Sequence, residues 1–158
     1  MKRITNIETN YINKVLQNDF KTSKNSIMMK EFEEEFKRKI GSKYCISFIN
    51  GTATMHAALE AMEIGYGDEV IVPPLTMSST TFAVLQCNAT PVFADVCKDT
   101  FQIDPVSIEK KITIKTKAII TVALYGLCPD YDLIKKIIKN KNIKIIEDNA
   151  ECFLGKYK

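Results

Sequence analysis

The sequence lacks the residues and segments that several classes of protein require. It contains no tryptophan and a single histidine, so a metal site built from several histidines is excluded. No apolar run approaches the ~18–20 residues of a membrane-spanning helix. The first twenty residues are polar and lack the apolar segment of a signal peptide. We therefore expect no membrane partner and a cytoplasmic location.

Cysteine spacing and charge exclude further classes. The five cysteines lie at irregular spacings without a CxxC pair, which indicates reduced thiols packed in apolar segments. The net charge is only +3, and the lysines of residues 135–144 alternate with isoleucines. Nucleic-acid binding needs a concentrated basic patch, so we expect no nucleic-acid partner. The absence of a GxGxxG or Walker-type loop disfavours a simple nucleotide-binding α/β protein.

Short apolar segments alternate with amphipathic ones along most of the chain. A chain of 158 residues with 46% hydrophobic residues can bury a substantial core. The alternation predicts an α/β fold with a mainly parallel sheet and helices on both faces. Predicted strands cover residues 44–49, 69–72, 91–96, 117–124 and 143–147. Predicted helices cover residues 4–16, 29–40, 52–62, 78–87, 105–112 and 131–140, with a polar linker at residues 19–26.

The segment Asn50-Gly51-Thr52-Ala53 lies between a predicted strand and a predicted helix. Ligands of parallel sheets bind beyond the carboxyl ends of the strands. Gly51 lets the backbone pass close to a ligand, and the amides of Thr52 and Ala53 would begin the helix at its positive dipole end. This turn predicts a phosphate-binding site, with a helix N-cap that binds no ligand as the alternative.

The segment Ile143–Asp148 is an apolar strand that ends in Glu147 and Asp148. A carboxylate there can hold a proton on a pyridine nitrogen and so make the ring an electron sink. A phosphate site and such a carboxylate together are what pyridoxal 5'-phosphate requires. The alternatives are an acidic strand end, a helix cap or a metal ligand, although no partner ligands are evident. Met77 could contact a flat ring or fill the core, and Tyr125 could line the site or be packed.

In order and spacing these segments resemble the DegT/DnrJ/EryC1/StrS family of pyridoxal-phosphate-dependent sugar aminotransferases. The resemblance covers about residues 31–155 and rests on the combination of segments, since each one alone is weak. The matching segments are residues 32–36 (Phe-Glu-Glu-Glu-Phe), 50–53 with His56 and Leu59, 67–73, 91–95, 103–105, 116–120, 124–126 and 146–148.

The resemblance implies a type I aminotransferase-like fold. Residues 1–26 would be an N-terminal helix and linker, and residues 27–158 a partial large domain that binds pyridoxal 5'-phosphate. The implied reaction moves an amino group from an amino acid such as glutamate to the keto group of a nucleotide-linked sugar. The implied assembly is a homodimer.

The resemblance also assigns residues to the cofactor. Gly51, Thr52 and Ala53 would hold its phosphate, Met77 would stack on its ring, and Asp148 would pair with its pyridine nitrogen. Glu151 stands where the family usually has a glutamine near the ring hydroxyl. A negative charge there should raise the pKa of the Glu151 carboxyl or disfavour the bound cofactor. Met77 also departs from the family, in which an aromatic residue is common.

No segment of the sequence matches the one that carries the lysine by which the family holds the cofactor covalently. Lys156 and Lys158 follow Gly155 in what reads as a surface turn. We therefore expect a large domain truncated before that lysine and before the small domain, and no transamination by these residues alone. The alternatives are a fragment of a longer protein, a stand-alone cofactor-binding or dimerising remnant, and part of a related sugar dehydratase. A sheet cut at this point should be marginally soluble or oligomeric.

Overall fold

A computed structural model describes residues 3–17 and 26–158 of the chain. The chain divides into two compact units, Met1–Ser47 and Phe48–Lys158. This division falls later than the boundary after residue 26 that the sequence predicts, because the second helix belongs to the first unit. No helix among the described residues is long and apolar enough to cross a membrane.

The first unit contains two helices, α1 (Asn6–Gln17) and α2 (Ile27–Ile40). An ion pair between Lys14 and Glu31, with 2.7 Å between Nζ and Oε1, joins them. Ser26 caps α2 by accepting a hydrogen bond from the amide of Met29. At the other end Gly41 has a φ of 77° and donates its amide to the carbonyl of Lys37, so a left-handed glycine ends the helix. Most of the predicted linker, residues 19–25, lies outside the described residues.

The strand predicted at residues 44–49 is wrong. This segment has no regular secondary structure, and Tyr44 and Ile49 are 74% and 91% exposed. Hydrogen bonds to α2 hold this segment instead. The Glu33 carboxylate accepts them from the amide and the hydroxyl of Ser47, at 2.8 and 2.7 Å. These bonds lower the pKa of Glu33. A strand-like sequence forms a strand only where a neighbouring strand and a half-buried surface receive it, and no described strand does so here.

The second unit is built on a four-stranded sheet. The strands pair in parallel throughout, in the order β2-β1-β3-β4, which confirms the predicted sheet. The strands are β1 (Glu69–Val72), β2 (Thr90–Phe93), β3 (Thr116–Val122) and β4 (Lys144–Asp148). The helices are α3 (Gly51–Ala61), α4 (Ser79–Gln86), α5 (Pro105–Lys111) and α6 (Tyr131–Ile138).

Strand β2 is shorter than the sequence predicts. Its parallel pairing with β1 ends at Phe93, whereas the predicted strand continues to residue 96. Val96 instead makes an isolated antiparallel bridge with Ile103, which turns the chain toward α5. The extended backbone therefore continues past the sheet, but its partner changes.

Helices cover both faces of the sheet, as predicted. On one face, α3 and α4 pack over alternate strand residues that include Val70 and Ile120. On the other face, α5 and α6 pack over the intervening residues, which include Ile71 and Ile119. Strands buried on both sides explain the continuous apolar runs in the sequence. The pattern also fixes which face each later strand residue occupies, and Ile146 packs with the α3 and α4 side.

The course of α3 places its first turn at one edge of the sheet. The helix ends at Ala61, and β1 begins only a short connection later, at Glu69. The C-terminus of α3 therefore lies near the amino ends of the strands. With 11 residues the helix is ~16 Å long, about the length of the strands. Its N-terminus consequently lies at the carboxyl edge.

Candidate functional site

The carboxyl edge of the sheet brings together the two segments that the sequence singles out. The first turn of α3 reaches this edge, and β4 ends there at Asp148. Strand side chains alternate between faces, so Asp148 shares with Ile146 the face that α3 and α4 cover. Glu147 belongs to the opposite face, with Thr121 of β3 as its register partner. The turn at residues 50–53 and one of the two carboxylates thus occupy one face at one edge.

The turn before α3 leaves two backbone amides without a partner. Asn50 caps the helix, and its Oδ1 accepts a hydrogen bond from the amide of Ala53 at 2.8 Å. Among the described residues, no acceptor contacts the amides of Gly51 and Thr52. The free donors are therefore these two, whereas the sequence pointed to the amides of Thr52 and Ala53. The Ala53 amide is already engaged because Asn50 is the N-cap.

Open space lies in front of this turn. A Cβ atom placed on Gly51 would meet nothing within 4 Å, and the φ of Gly51 lies outside the left-handed region. The backbone conformation alone therefore does not require glycine at this position. What glycine provides is room for a group to approach the two free amides closely.

Asp148 is held in place by its own backbone and by the turn that follows. Its carbonyl accepts the amide of Ala123, which joins the ends of β3 and β4 at 3.0 Å. Its Oδ1 accepts the amide of Ala150 at 3.1 Å. No described residue donates to its second carboxylate oxygen. Asp148 therefore keeps one fixed acceptor oxygen available on the α3 side of the edge.

The loop after β3 carries Tyr125 and meets Glu151. Tyr125 has a φ of 56°, a left-handed conformation that a tyrosine rarely adopts. Its amide donates to Oε2 of Glu151 at 2.9 Å. The Glu151 carboxylate thus already holds the loop. The Tyr125 ring is 76% exposed, so packing in the core, one of its two predicted roles, is wrong.

Met77 lies in the connection between β1 and α4. Its side chain is 70% exposed, so core filling, one of the two predicted roles of this residue, is wrong. The position directly follows the carboxyl end of β1. Contact of Met77 with a flat ring remains a prediction.

Gln102 supports the same loop, and sequence reasoning missed it. Its side chain is 96% buried, and its Nε2 donates to the carbonyl of Leu124 at 3.0 Å. Leu124 directly precedes Tyr125, so this bond helps to fix the left-handed turn. No motif in the sequence marks this role, because the contact joins residues 22 positions apart.

Lys158 pairs with Asp132 of α6, with 2.5 Å between Nζ and Oδ2. Helix α6 covers the face opposite to the one that Asp148 shares. That Lys158 is not the lysine that holds the cofactor remains a prediction.

These features fit pyridoxal 5'-phosphate. The phosphate needs anion-binding amides, which Gly51 and Thr52 supply in open space at a helix N-terminus. The pyridine nitrogen needs a carboxylate, and Asp148 lies at the same edge on the same face. The residues present are those that the two ends of the cofactor require.

Comparison with known sequences identifies the relatives of the chain. A model of the DegT/DnrJ/EryC1/StrS aminotransferase family matches residues 2–158. The chain is 41% identical over 155 residues to a GDP-perosamine synthase of Escherichia coli O157:H7, covering 98% of this chain and 42% of that protein. It is 42% identical over 128 residues to the UDP-2-acetamido-2-deoxy-3-oxo-D-glucuronate aminotransferase of Pseudomonas aeruginosa, covering 81% of this chain and 36% of that protein. The chain thus spans less than half the length of these relatives.

Solved structures agree with the sequence comparison. An aminotransferase from Psychrobacter cryohalolentis superimposes with a TM-score of 0.88 at 39% identity, over 94% of this chain and 38% of that one. An Escherichia coli GDP-4-keto-6-deoxy-D-mannose-3-dehydratase with bound hydrated PLP gives a TM-score of 0.85 at 30% identity, over 94% of this chain and 39% of that one. The predicted type I aminotransferase-like fold is confirmed. The chain belongs to the DegT/DnrJ/EryC1/StrS aminotransferase family, whose cofactor is pyridoxal 5'-phosphate, as the resemblance predicts.

Proposed function

We propose that these residues form the cofactor-binding part of a cytoplasmic aminotransferase that acts on a nucleotide-linked keto sugar, with an amino acid such as glutamate as donor. The observation that carries the proposal is the common position of the free Gly51 and Thr52 amides and the Asp148 carboxylate. Relatives at 41–43% identity support the substrate class, since their names specify GDP-, UDP- and dTDP-linked amino sugars. Because the chain spans less than half of these proteins, their substrates enter here as part of the proposal.

Each residue has a defined task toward the cofactor. The amides of Gly51 and Thr52, with the Thr52 hydroxyl, bind the phosphate and fix that end of the ring. The amide of Ala53 donates to Oδ1 of Asn50, the N-cap residue. Ala53 therefore contributes to the phosphate site by holding the first turn of α3 in place. Asp148 keeps a proton on the pyridine nitrogen, and Met77 lies against the ring. Pyridoxal 5'-phosphate, when bound, supplies the electron sink for amino transfer.

The two carboxylates at the end of β4 allow a matched test of the site. We expect Asp148→Asn to weaken binding of pyridoxal 5'-phosphate by roughly tenfold or more, since a hydrogen bond to a charged group contributes about 1.5–3 kcal/mol. Glu147→Gln is the control, because this neighbour points to the other face of the sheet. Binding is measured by equilibrium dialysis and by the absorbance of the bound cofactor. Equal affinities of the two variants would refute the proposed role of Asp148.

Gly51 allows a test of the phosphate site. In Gly51→Ala the new methyl group would lie in open space in the free protein, so we expect thermal stability to change little. The same methyl group would occupy the approach to the two free amides. Binding of pyridoxal 5'-phosphate should therefore weaken, whereas binding of pyridoxal, which has no phosphate, should not. An unchanged affinity for both ligands would place the phosphate elsewhere.

We expect these 158 residues alone to bind the cofactor without catalysing amino transfer, because none of their segments matches the one that carries the cofactor-holding lysine of the family. The assay incubates the chain with glutamate, pyridoxal 5'-phosphate and a nucleotide-linked keto sugar, and follows the amino sugar by mass spectrometry. We expect the amino sugar to form no faster than it does with free pyridoxal 5'-phosphate in the absence of protein. Activity that persists through purification to homogeneity would contradict it.

A sugar dehydratase is the second candidate, because one superimposes with a TM-score of 0.85. Its identity of 30% is lower than the 41–43% of the aminotransferase relatives, which favours the first candidate. The two differ in product, since a dehydratase removes a hydroxyl group as water and leaves no amino group on the sugar. Mass spectrometry of products from a longer native protein that contains this chain would distinguish them.

A further inference from the structure

Three side chains with metal-binding atoms meet on the α3 and α4 side of the sheet, away from the carboxyl edge. His56 and Glu60 lie one turn apart on α3, and Cys87 directly follows α4. The Nε2 atom of His56 is 3.3 Å from Oε1 of Glu60. Ligand atoms of all three residues lie within 4.8 Å of one another. In the part of the chain that the structure describes, this is the one cluster of at least three such groups.

We propose that His56, Glu60 and Cys87 form a Zn²⁺ site. Zinc binds imidazole nitrogen and carboxylate oxygen at about 2.0–2.2 Å and thiolate sulfur at about 2.3 Å, in tetrahedral geometry. Two nitrogen or oxygen ligands of such an ion are therefore about 3.4 Å apart. The separation of 3.3 Å between His56 and Glu60 already meets this requirement. The Cys87 sulfur lies within 4.8 Å of the other two ligand atoms, which is close enough for one ion to bind all three after a small adjustment.

The electrostatics of the cluster favour a divalent cation. Cys87 is almost fully buried, and its Sγ lies within 4.8 Å of the Glu60 carboxylate. The Sγ atom donates to the carbonyl of His56 at 3.7 Å. A dication beside both groups would offset the burial of the thiolate and its repulsion by Glu60. Thiolate, carboxylate and neutral imidazole together would balance the charge of Zn²⁺.

The exposure of the three residues gives the ion a route to the site. Cys87 is 4% exposed, whereas the side chains of His56 and Glu60 are 36% and 61% exposed. Metal would therefore arrive from the Glu60 side, and water would complete the tetrahedron at the fourth position. The bound ion would tie α3 to the end of α4. It would thereby fix the helix whose first turn carries the Gly51 and Thr52 amides.

Cobalt titration of the metal-free chain, without an affinity tag and with its thiols kept reduced, tests the site. A cysteine ligand produces a near-ultraviolet charge-transfer band from thiolate to Co²⁺, and added Zn²⁺ should remove it. We expect this band in the unaltered chain and a higher melting temperature with Zn²⁺. In Cys87→Ser the band should disappear. His56→Gln and Glu60→Gln should each weaken Co²⁺ binding at least roughly tenfold, since even partners that only orient a ligand contribute that much.

A second pair of thiols provides the matched control. Cys128 and Cys152 interact with each other and could bind metal by themselves. The double variant Cys128→Ser/Cys152→Ser should keep the band if the site is at His56, Glu60 and Cys87. His56→Gln changes a partly exposed residue, so it tests the site even if Cys87→Ser fails to fold, which circular dichroism would reveal. Absence of a band in the unaltered chain, its loss in the double variant, or an unchanged affinity in His56→Gln would overturn the proposal.

Discussion

At the scale of single residues, buried hydroxyl groups connect β3, β4 and α6. The Tyr131 hydroxyl lies 3.3 Å from the Thr121 hydroxyl, which is also 3.3 Å from the carbonyl of Ile146. Tyr131 is 3% exposed, and its ring packs edge-on against Tyr157 with the ring centres 5.1 Å apart. Burial raises the pKa of Tyr131 to about 12. The folded state therefore strongly prefers the neutral phenol at this position.

This preference predicts a loss of stability at high pH. The unfolded chain releases the Tyr131 proton near pH 10, whereas the folded chain holds it until about pH 12. The contribution of this residue is therefore complete below pH 10 and is lost as the pH rises toward 12. Urea midpoints should fall over this range, and less steeply in Tyr131→Phe. The control Tyr66→Phe removes a phenol that is 95% exposed, and its slope should match that of the unaltered chain. Equal slopes in all three proteins would contradict the prediction.

Glu151 combines a structural contact with a charge near the proposed cofactor. Glu151→Gln keeps an acceptor for the Tyr125 amide but removes the negative charge. We expect this variant to bind pyridoxal 5'-phosphate several-fold more tightly, because the negative charge of Glu151 no longer repels the ring hydroxyl oxygen of the cofactor. Glu151→Ala removes the acceptor as well, so it separates the two effects. Fluorescence titration measures both variants, and weaker binding by Glu151→Gln would show that the charge assists the cofactor.

At the scale of elements, side-chain caps begin three of the four α-helices of the second unit, and α4 is the exception. Asn50, Asp104 and Asp130 each accept a hydrogen bond from an amide of the first turn. Helices α5 and α6 contain only seven and eight residues, lengths that are not stable by themselves. Their stability depends on packing against the sheet and on these caps.

The cap of α5 is suited to measurement, since it lies on the face opposite to the proposed cofactor site. Oδ1 of Asp104 accepts the amide of Val106 at 2.9 Å, and Pro105 occupies the first helical position. We expect Asp104→Ala to lower the free energy of unfolding by about 1 kcal/mol. Asp104→Asn retains an acceptor and should lose much less. Chemical denaturation of both variants measures the difference, and equal losses would mean that the hydrogen bond contributes nothing.

At the scale of the whole molecule, the two units differ in how they bury apolar side chains. The second unit buries a cluster on each face of its sheet. The first unit has no buried residue in either of its helices, as far as they are described. Four apolar side chains of α1 are more than half exposed: Ile7, Tyr11, Ile12 and Leu16. An exposed apolar helix face of this kind is typical of a surface that another chain covers.

We therefore predict that the chain associates with a second copy through α1. Ile7→Lys places a charge on the apolar side and should shift the molecule toward the monomer. Asn13→Lys adds the same charge on the opposite side of the helix and should leave the association unchanged. Sedimentation velocity at several concentrations measures the effect. A monodisperse monomer in the unaltered chain would refute both this prediction and the expectation of marginal solubility.

Features encoded over a few residues could be predicted from the sequence. Four of the five predicted strands and all six helices are present, because apolar periodicity and helix caps are local properties. The segment 44–49 was the exception, since no strand among the described residues pairs with its apolar residues. The order of motifs was equally local, and it sufficed to predict the family and its cofactor.

Contacts between distant residues were decided by the tertiary structure. The sequence by itself determined most of the elements, the doubly covered parallel sheet, the family with its cofactor, and the turn before α3. Only the fold placed Asp148 rather than Glu147 on the face of α3, engaged Glu151 with Tyr125, and brought Cys87 to His56 and Glu60. The physical reason is the distance along the chain over which each interaction acts. Backbone preferences act over about one turn, whereas contacts between distant side chains depend on strand order, register and packing across the whole unit.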